Sequence, residues 1–255
     1  MPLNGKVALV TGAGAGLGRA IALGYAAAGA QVLAISLHAH ELDEVRATAK
    51  RDGLTISTLT SDVSDAEEAD AAVRTAIDRW GRIDILVNNA AIIIVKPIEV
   101  TSVEEWDRLL AVNLRGPFLY SRACVPIMKS QRAGVIINVS SQSGVKGFIG
   151  EAAYCPSKFG LEGLTYTLAL ELEPWNIRVL TVHPGVGMQT PMSRTTYDEE
   201  ARKTWQDPAI LSPAFVALAA TEDPGVSGRR FNAYELTSQL EREPQLDNRL
   251  WVSSY

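Results

Sequence analysis

The stretch KVALVTGAGAGLG, residues 6–18, sets an apolar run against four glycines. Val7 to Val10 has the length and β-branched content of a buried strand. Leu17 to Ala28 is Ala-rich and closes at Gly29, as a helix does. Between them the glycines let the backbone turn tightly and approach an anion closely, with the helix N-terminus to receive its charge. A glycine turn between a strand and a helix, at the head of a βαβ unit, predicts a site for a dinucleotide pyrophosphate formed by Gly12, Ala15, Gly16, Leu17 and Gly18. A turn that needs glycine for steric reasons only is the plainer alternative.

The same alternation runs outward from this unit. Strands are expected at 31–35, 55–59, 85–87, 135–139 and 178–182, with helices at 40–51, from Ser64 to Trp80, at 102–112, 117–130, 152–172 and 213–221. Ser64 with Glu67 three residues on is in capping-box register for the third helix. Strands that read as continuous apolar runs between helices imply an α/β fold, a doubly wound parallel sheet of about seven strands with helices on both faces. No linker, repeat or low-complexity tract interrupts residues 1–255, so a single domain is expected. Residues 187–212 break the rhythm: they are polar and hold Pro191 and Pro208, which suggests an irregular lid over a binding site.

Of 255 residues, 47% are hydrophobic and 21% charged, enough to build a core. A net charge of −5 without a Lys/Arg run argues against nucleic acid and anionic membranes as partners. No apolar run reaches membrane-spanning length and the N-terminus lacks a secretory pattern, so the cytoplasm is the expected compartment. Cys124 and Cys155 read as free thiols, and no histidine lies near Cys155 in sequence to make it a nucleophile. His38, His40 and His183 have no metal-ligand spacing, and no metal is expected.

A second stretch, EAAYCPSKFG at 151–160, puts Tyr154 and Lys158 four apart, on one face if the segment is helical. Pro156 between them is tolerated only in a first turn, which places the pair at a helix N-terminus. Thr11-Gly12-xxx-Gly16-x-Gly18 together with this pair resembles the short-chain dehydrogenase/reductase family, a Rossmann-like group. Further stations match its pattern: Asp62 and Val63 after the third strand, Asn88, Asn89 and Ala90 after the fourth, Asn113 in VNLRG, and Ser141 thirteen residues before Tyr154.

The resemblance implies an NAD(P)-dependent oxidoreductase that interconverts a secondary alcohol and a ketone, with Asn113, Ser141, Tyr154 and Lys158 as the catalytic set. It implies that Asp62, Val63, Asn89 and Ala90 hold the adenosine side. Pro184, Gly185, Val186 and Thr190 would meet the nicotinamide, although the interval to Thr190 is one residue longer than the usual form. It also implies a homo-oligomer, tetramer or dimer. A phenol with a pKa of about 10 is a poor base at neutral pH, and a nearby ammonium is expected to draw it down. Ser141 would stabilise charge on the substrate oxygen. Two other readings use the same fold: a catalytically silent dinucleotide-binding regulator, and dehydratase or epimerase chemistry.

Two departures bear on the cofactor and the loop. Ser36 ends the second strand, where an acid would bind the ribose hydroxyl of NAD or a neighbouring Arg the 2′-phosphate of NADP. Neither is there and Ala15 is not basic, which leans to NAD. Ala91 replaces a family glycine.

Overall fold

The computed structural model describes residues 1–243. The far end of the expected 1–255 domain lies outside the described residues. Seven parallel strands form one sheet: β1 Val7–Thr11, β2 Gln31–Ser36, β3 Ile56–Thr60, β4 Ile85–Asn88, β5 Gly134–Val139, β6 Ile177–His183 and β7 Arg230–Asn232. Their order is β3-β2-β1-β4-β5-β6-β7, so the direction of winding reverses between β1 and β4. At such a reversal the chain leaves β1 and β4 toward opposite faces, which opens a crevice beyond their carboxyl ends.

Every residue of β1 and β5 is buried, as strands covered on both faces require. Alternate positions feed two cores. Ala8 and Val10 pack with Ile21 and Tyr25 of α1 (Gly16–Ala27), Val45 of α2 (Ala39–Arg51) and Phe215 farther along the chain. Leu9 and Ile136 pack on the other face with Ala72 of α3 (Ala66–Trp80) and with Tyr120. Full burial of side chains such as Ile21 or Leu9 contributes roughly 1.5–3 kcal/mol each, and a one-residue slip would exchange the sets packed in the two cores.

Three local expectations are corrected. Helix α3 is capped by Asp65, whose Oδ1 accepts from Glu67 N at 2.8 Å and Glu68 N at 3.0 Å. Ser64 does not cap it, because its N–H and hydroxyl are both given to Asp62. The two helices expected at 102–112 and 117–130 are one run: α4 (Val103–Leu110) passes through a π-helical turn at Ala111–Arg115 into α5 (Gly116–Gln131). Pro117 stands in the first turn of α5, directly after the π-helical turn.

Beyond α6 (Tyr154–Leu172) and β6, the expected irregular lid contains two short helices, α7 (Pro191–Thr196) and α8 (Glu199–Arg202). Thr190 and Asp198 cap them, using polar residues that read as loop in the sequence. Two elements had no counterpart in the sequence reading: the short β7, and α10 (Ala233–Arg242), which packs against α9 (Ser212–Ala220). A strand of three residues carries no usable periodicity.

Candidate active site

A cavity of about 380 Å³ opens at the carboxyl end of the sheet, under the lid and along the glycine loop. Gly12 at φ 63° and Gly16 at φ 53° take left-handed conformations that a side chain would strain. A Cβ at Gly18 would collide with the Gly12 carbonyl, which is why α1 can pack so close to the loop it leaves. The N-cap of α1, Ala15, offers no side-chain bond, and no acid stands in the first turn. The orphan N–H groups of that turn are therefore left for an external anion.

The loop is stapled to β4. Thr11 Oγ1 donates to Val87 O at 3.2 Å and accepts from Asn89 N at 3.0 Å, while Asn89 Nδ2 donates to Thr11 O at 3.0 Å. Asn89 and Ala90 line the cavity through this arrangement. A glycine cradle that any Cβ would fill, joined to an uncapped helix N-terminus, fits a dinucleotide.

At the far end of the cavity stand Ser141, Tyr154 and Lys158. Tyr154 opens α6 and Pro156 is its third residue, within the first turn as expected. Lys158 is 3% exposed; its Nζ donates to Val139 O at 2.9 Å and lies 5.6 Å from the Tyr154 ring centroid. Burial lowers the Lys158 ammonium to about 8, against an opposing pull from Glu162.

Burial also pushes the Tyr154 phenol well above its ordinary value; the Ser141 hydroxyl pulls it back and the Glu151 charge raises it further. The expected lowering by Lys158 does not appear among the influences on the phenol. Two buried groups, one acidic and one basic, both favour their neutral forms when desolvation outweighs their attraction.

The other expected residues divide between the cavity wall and its surroundings. Ser36, Pro184, Val186 and Thr190 line the cavity with Ala15, Gly16 and Leu17. The Thr190 hydroxyl also accepts from Ser193 N at 3.0 Å, capping α7. Gly18, Asp62, Val63, Asn113 and Gly185 lie off the cavity wall. Asp62 takes Ser64 and, through Oδ2, Arg108 at 3.1 Å; burial alone would raise its carboxyl, but these bonds hold it below the usual range.

Val63 packs in the second core. Gly185, at φ 78°, turns the chain against Asn232. Asn113 sits in the π-helical turn, where its side chain accepts from Ile92 N at 2.8 Å and donates to Ile92 O at 2.9 Å. The turn thereby anchors the segment that follows β4, a common use of π-bulges at functional sites.

Three features of the site were not read from the sequence. Glu41, in the first turn of α2, lines the cavity and accepts from Ser36 Oγ at 2.7 Å. The carboxylate missing from the end of β2 is supplied by the next helix. A Cβ on Gly14 would meet it and approach Ser36 Oγ to 2.7 Å, so that glycine keeps room for the acid.

Glu162, one turn past Lys158, forms a buried ion pair with Arg230 of β7 and accepts from Ser140 and, at 2.8 Å, from Thr181 Oγ1. Arg230 Nη2 in turn donates to Ser141 O at 2.9 Å. The third is Glu151, which also lines the cavity.

Cys124 and Cys155 are buried free thiols, with Cys124 pushed up to about 12 by burial. Among the described residues no three His, Cys, Asp or Glu gather to hold a metal, and no helix is long and apolar enough to cross a membrane.

The model of the short chain dehydrogenase family matches residues 6–201. The trans-4-hydroxycyclohexanecarboxylate dehydrogenase of Sinomonas cyclohexanicum is 43% identical over 197 residues, 74% of each chain. The D-threitol dehydrogenase of Mycolicibacterium smegmatis is 38% identical over 206 residues, 81% of this chain and 76% of that one. Among solved structures, NAD⁺-bound xylitol dehydrogenase superposes with a TM-score of 0.83 at 28% identity, covering 90% of this chain and 98% of its own.

Proposed function

The chain belongs to the short-chain dehydrogenase family, and from that premise we propose that Tyr154, Ser141 and Lys158 carry its chemistry at the deep end of the cavity. It is an NAD(P)-dependent oxidoreductase acting on a CH–OH group, interconverting an alcohol and a ketone. The observation that carries the residue assignment is the meeting of a buried phenol, a buried amine and a serine hydroxyl in one cavity with a glycine cradle.

When bound, the nicotinamide gives or accepts the hydride. Tyr154 moves the proton of the substrate oxygen: its stable phenol form is ready to donate to a developing alkoxide, and the reverse step returns the proton. Ser141 donates to the same oxygen and disperses its charge. Lys158 is the group that would hold the nicotinamide ribose, releasing the Val139 carbonyl to do so. With a value near 8 it sits where protonation can change during turnover. Met188, Met192 and Trp205 of residues 187–212 close an apolar wall over the site, which supports the lid reading.

The cofactor of this proposal is NAD. Glu41 offers acceptors to ribose hydroxyls and repels a 2′-phosphate, and Ala15 supplies no compensating cation. A homo-oligomer, tetramer or dimer, in the cytoplasm completes it. Phe159, Tyr166 and Leu170 are exposed along one stripe of α6, and Phe118 is exposed on α5, which supports a contact between copies of the chain.

The test is a panel of alcohols and ketones followed at the nicotinamide absorbance band with both cofactors. Tyr154→Phe should lower kcat by roughly 10²–10⁴-fold while NADH still binds. Retained turnover in that variant overturns the role of Tyr154.

A further inference from the structure

Glu151 stands three residues before Tyr154, 8% exposed, on the cavity wall. Its Oε2 accepts from Ser143 Oγ at 2.6 Å and from Cys155 Sγ at 3.4 Å. No hydrogen bond reaches Oε1 from the described residues, and no Lys, Arg or His among them pairs with the carboxylate. The nearby cations are committed elsewhere: Lys96, whose backbone bridges to residue 151, sends its ammonium to Glu105, and Lys158 bonds Val139 O.

A carboxylate has about four acceptor positions, and an ionised one taken from water without partners is costly. Glu151 lines the same cavity as Met188, Met192 and Trp205 of the lid. An enzyme for plain cycloalkanols would gain nothing from keeping such a charge beside its substrate.

The carboxylate also has a defined place relative to the chemistry. Ser143 N donates to Ser141 Oγ at 3.2 Å, which leaves the Ser141 proton for the reacting oxygen, and Ser143 Oγ donates to Glu151 at 2.6 Å. Two hydrogen bonds thus separate Glu151 from the hydroxyl that would hold the reacting oxygen. A substrate held by Ser141 through that oxygen would need only one or two further carbons to bring a second hydroxyl within reach of Glu151. The charge reaches Tyr154 and Tyr197, raising both phenols after burial has done so.

Resting on the alcohol–ketone reading above, we propose that Glu151 accepts a hydrogen bond from a second hydroxyl of the substrate, so that the substrate class is vicinal or 1,3-diols and polyols. The same charge disfavours a carboxylate at that position of the substrate. It also gives the pocket a polar test that an apolar wall cannot make: a substrate without the donor leaves Glu151 unpaired, which is the stronger basis of discrimination.

The experiment compares the wild type with Glu151→Leu and Glu151→Gln on matched pairs, cyclohexanol with 1,2-cyclohexanediol and 2-butanol with 2,3-butanediol, by kcat/KM and by calorimetric binding to the NADH complex. The wild type should favour the diol by roughly 10–100-fold, the size of one hydrogen bond to a charged group. Glu151→Leu should lose that ratio, chiefly in KM, and Glu151→Gln, which keeps an acceptor, should recover part of it.

Equal diol-to-alcohol ratios in the wild type and in Glu151→Leu would overturn the assignment while leaving hydride transfer intact. Absence of turnover on every compound would instead refute the alcohol–ketone reading, and the calorimetric ratio would then decide the role of Glu151 alone. A greater gain for 2-aminocyclohexanol than for the diol would overturn the polyol class in favour of a cationic substrate.

Discussion

Glu41→Gln removes one negative charge from the ribose corner and keeps the shape of the side chain. Glu41 is partly buried, lines the cavity and is held by the Ser36 hydroxyl at 2.7 Å, so its position is defined before any cofactor arrives. A carboxylate about 5 Å from one phosphate charge at an effective dielectric near 20 repels it by roughly 3 kcal/mol. Partial exposure and physiological salt reduce this to about 1–2 kcal/mol, which is roughly 5–30-fold in affinity.

Glutamine still accepts a hydrogen bond from the ribose, so NADH should weaken by less than about 10-fold. Both effects lower the NADPH-to-NADH ratio of dissociation constants, which should shift by about 10–100-fold toward NADPH. Titration of nicotinamide fluorescence reads this without turnover. An unchanged ratio, or a wild type that already binds NADPH more tightly, refutes the reasoning that Glu41 stands in for the missing acid of β2.

Arg230→Met leaves Glu162 buried without its cation and should cost about 3–5 kcal/mol in urea unfolding, whereas the double variant with Glu162→Met should recover much of the loss. A double variant no more stable than the single one would show that the pair is not the cause. Lys158 pays for function in stability. Its folded value near 8 lies below the ordinary 10.5, so between these values the unfolded chain binds more protons and stability rises with pH; below 8 the full cost of burying the charge is present. Lys158→Met should therefore be inactive yet more stable than the wild type by roughly 2 kcal/mol at pH 7, after allowing for the lost bond to Val139 O. The difference should shrink from pH 8 to 10; a gain independent of pH, read by thermal unfolding, would contradict the burial argument.

Much of this molecule is legible along the chain because its decisive contacts are local. The glycine turn, the strands as unbroken apolar runs and the Tyr154 to Lys158 pair at a helix start all depend on residues within one or two turns of one another. The misreadings share the opposite property. Ser64 has the right residue type and spacing for a cap, but Asp62 takes its donors and leaves Asp65 to do the capping. Helices α4 and α5 join through a π-helical turn because Asn113 is held by Ile92, twenty-one residues earlier.

What the sequence determined by itself is the parallel sheet and the glycine turn at its head, since periodicity and turn chemistry encode these directly, while the reaction class came through the family resemblance that the motifs carry. Only the tertiary structure decided how the site is charged. Glu41 reaches the corner that β2 leaves empty, and Glu162 meets Arg230 across sixty-eight residues. Burial sets Tyr154 and Lys158 toward their neutral forms although their spacing alone suggested an ion pair. Charge acts through space and is scaled by burial, and neither distance nor dielectric is written in the order of the residues.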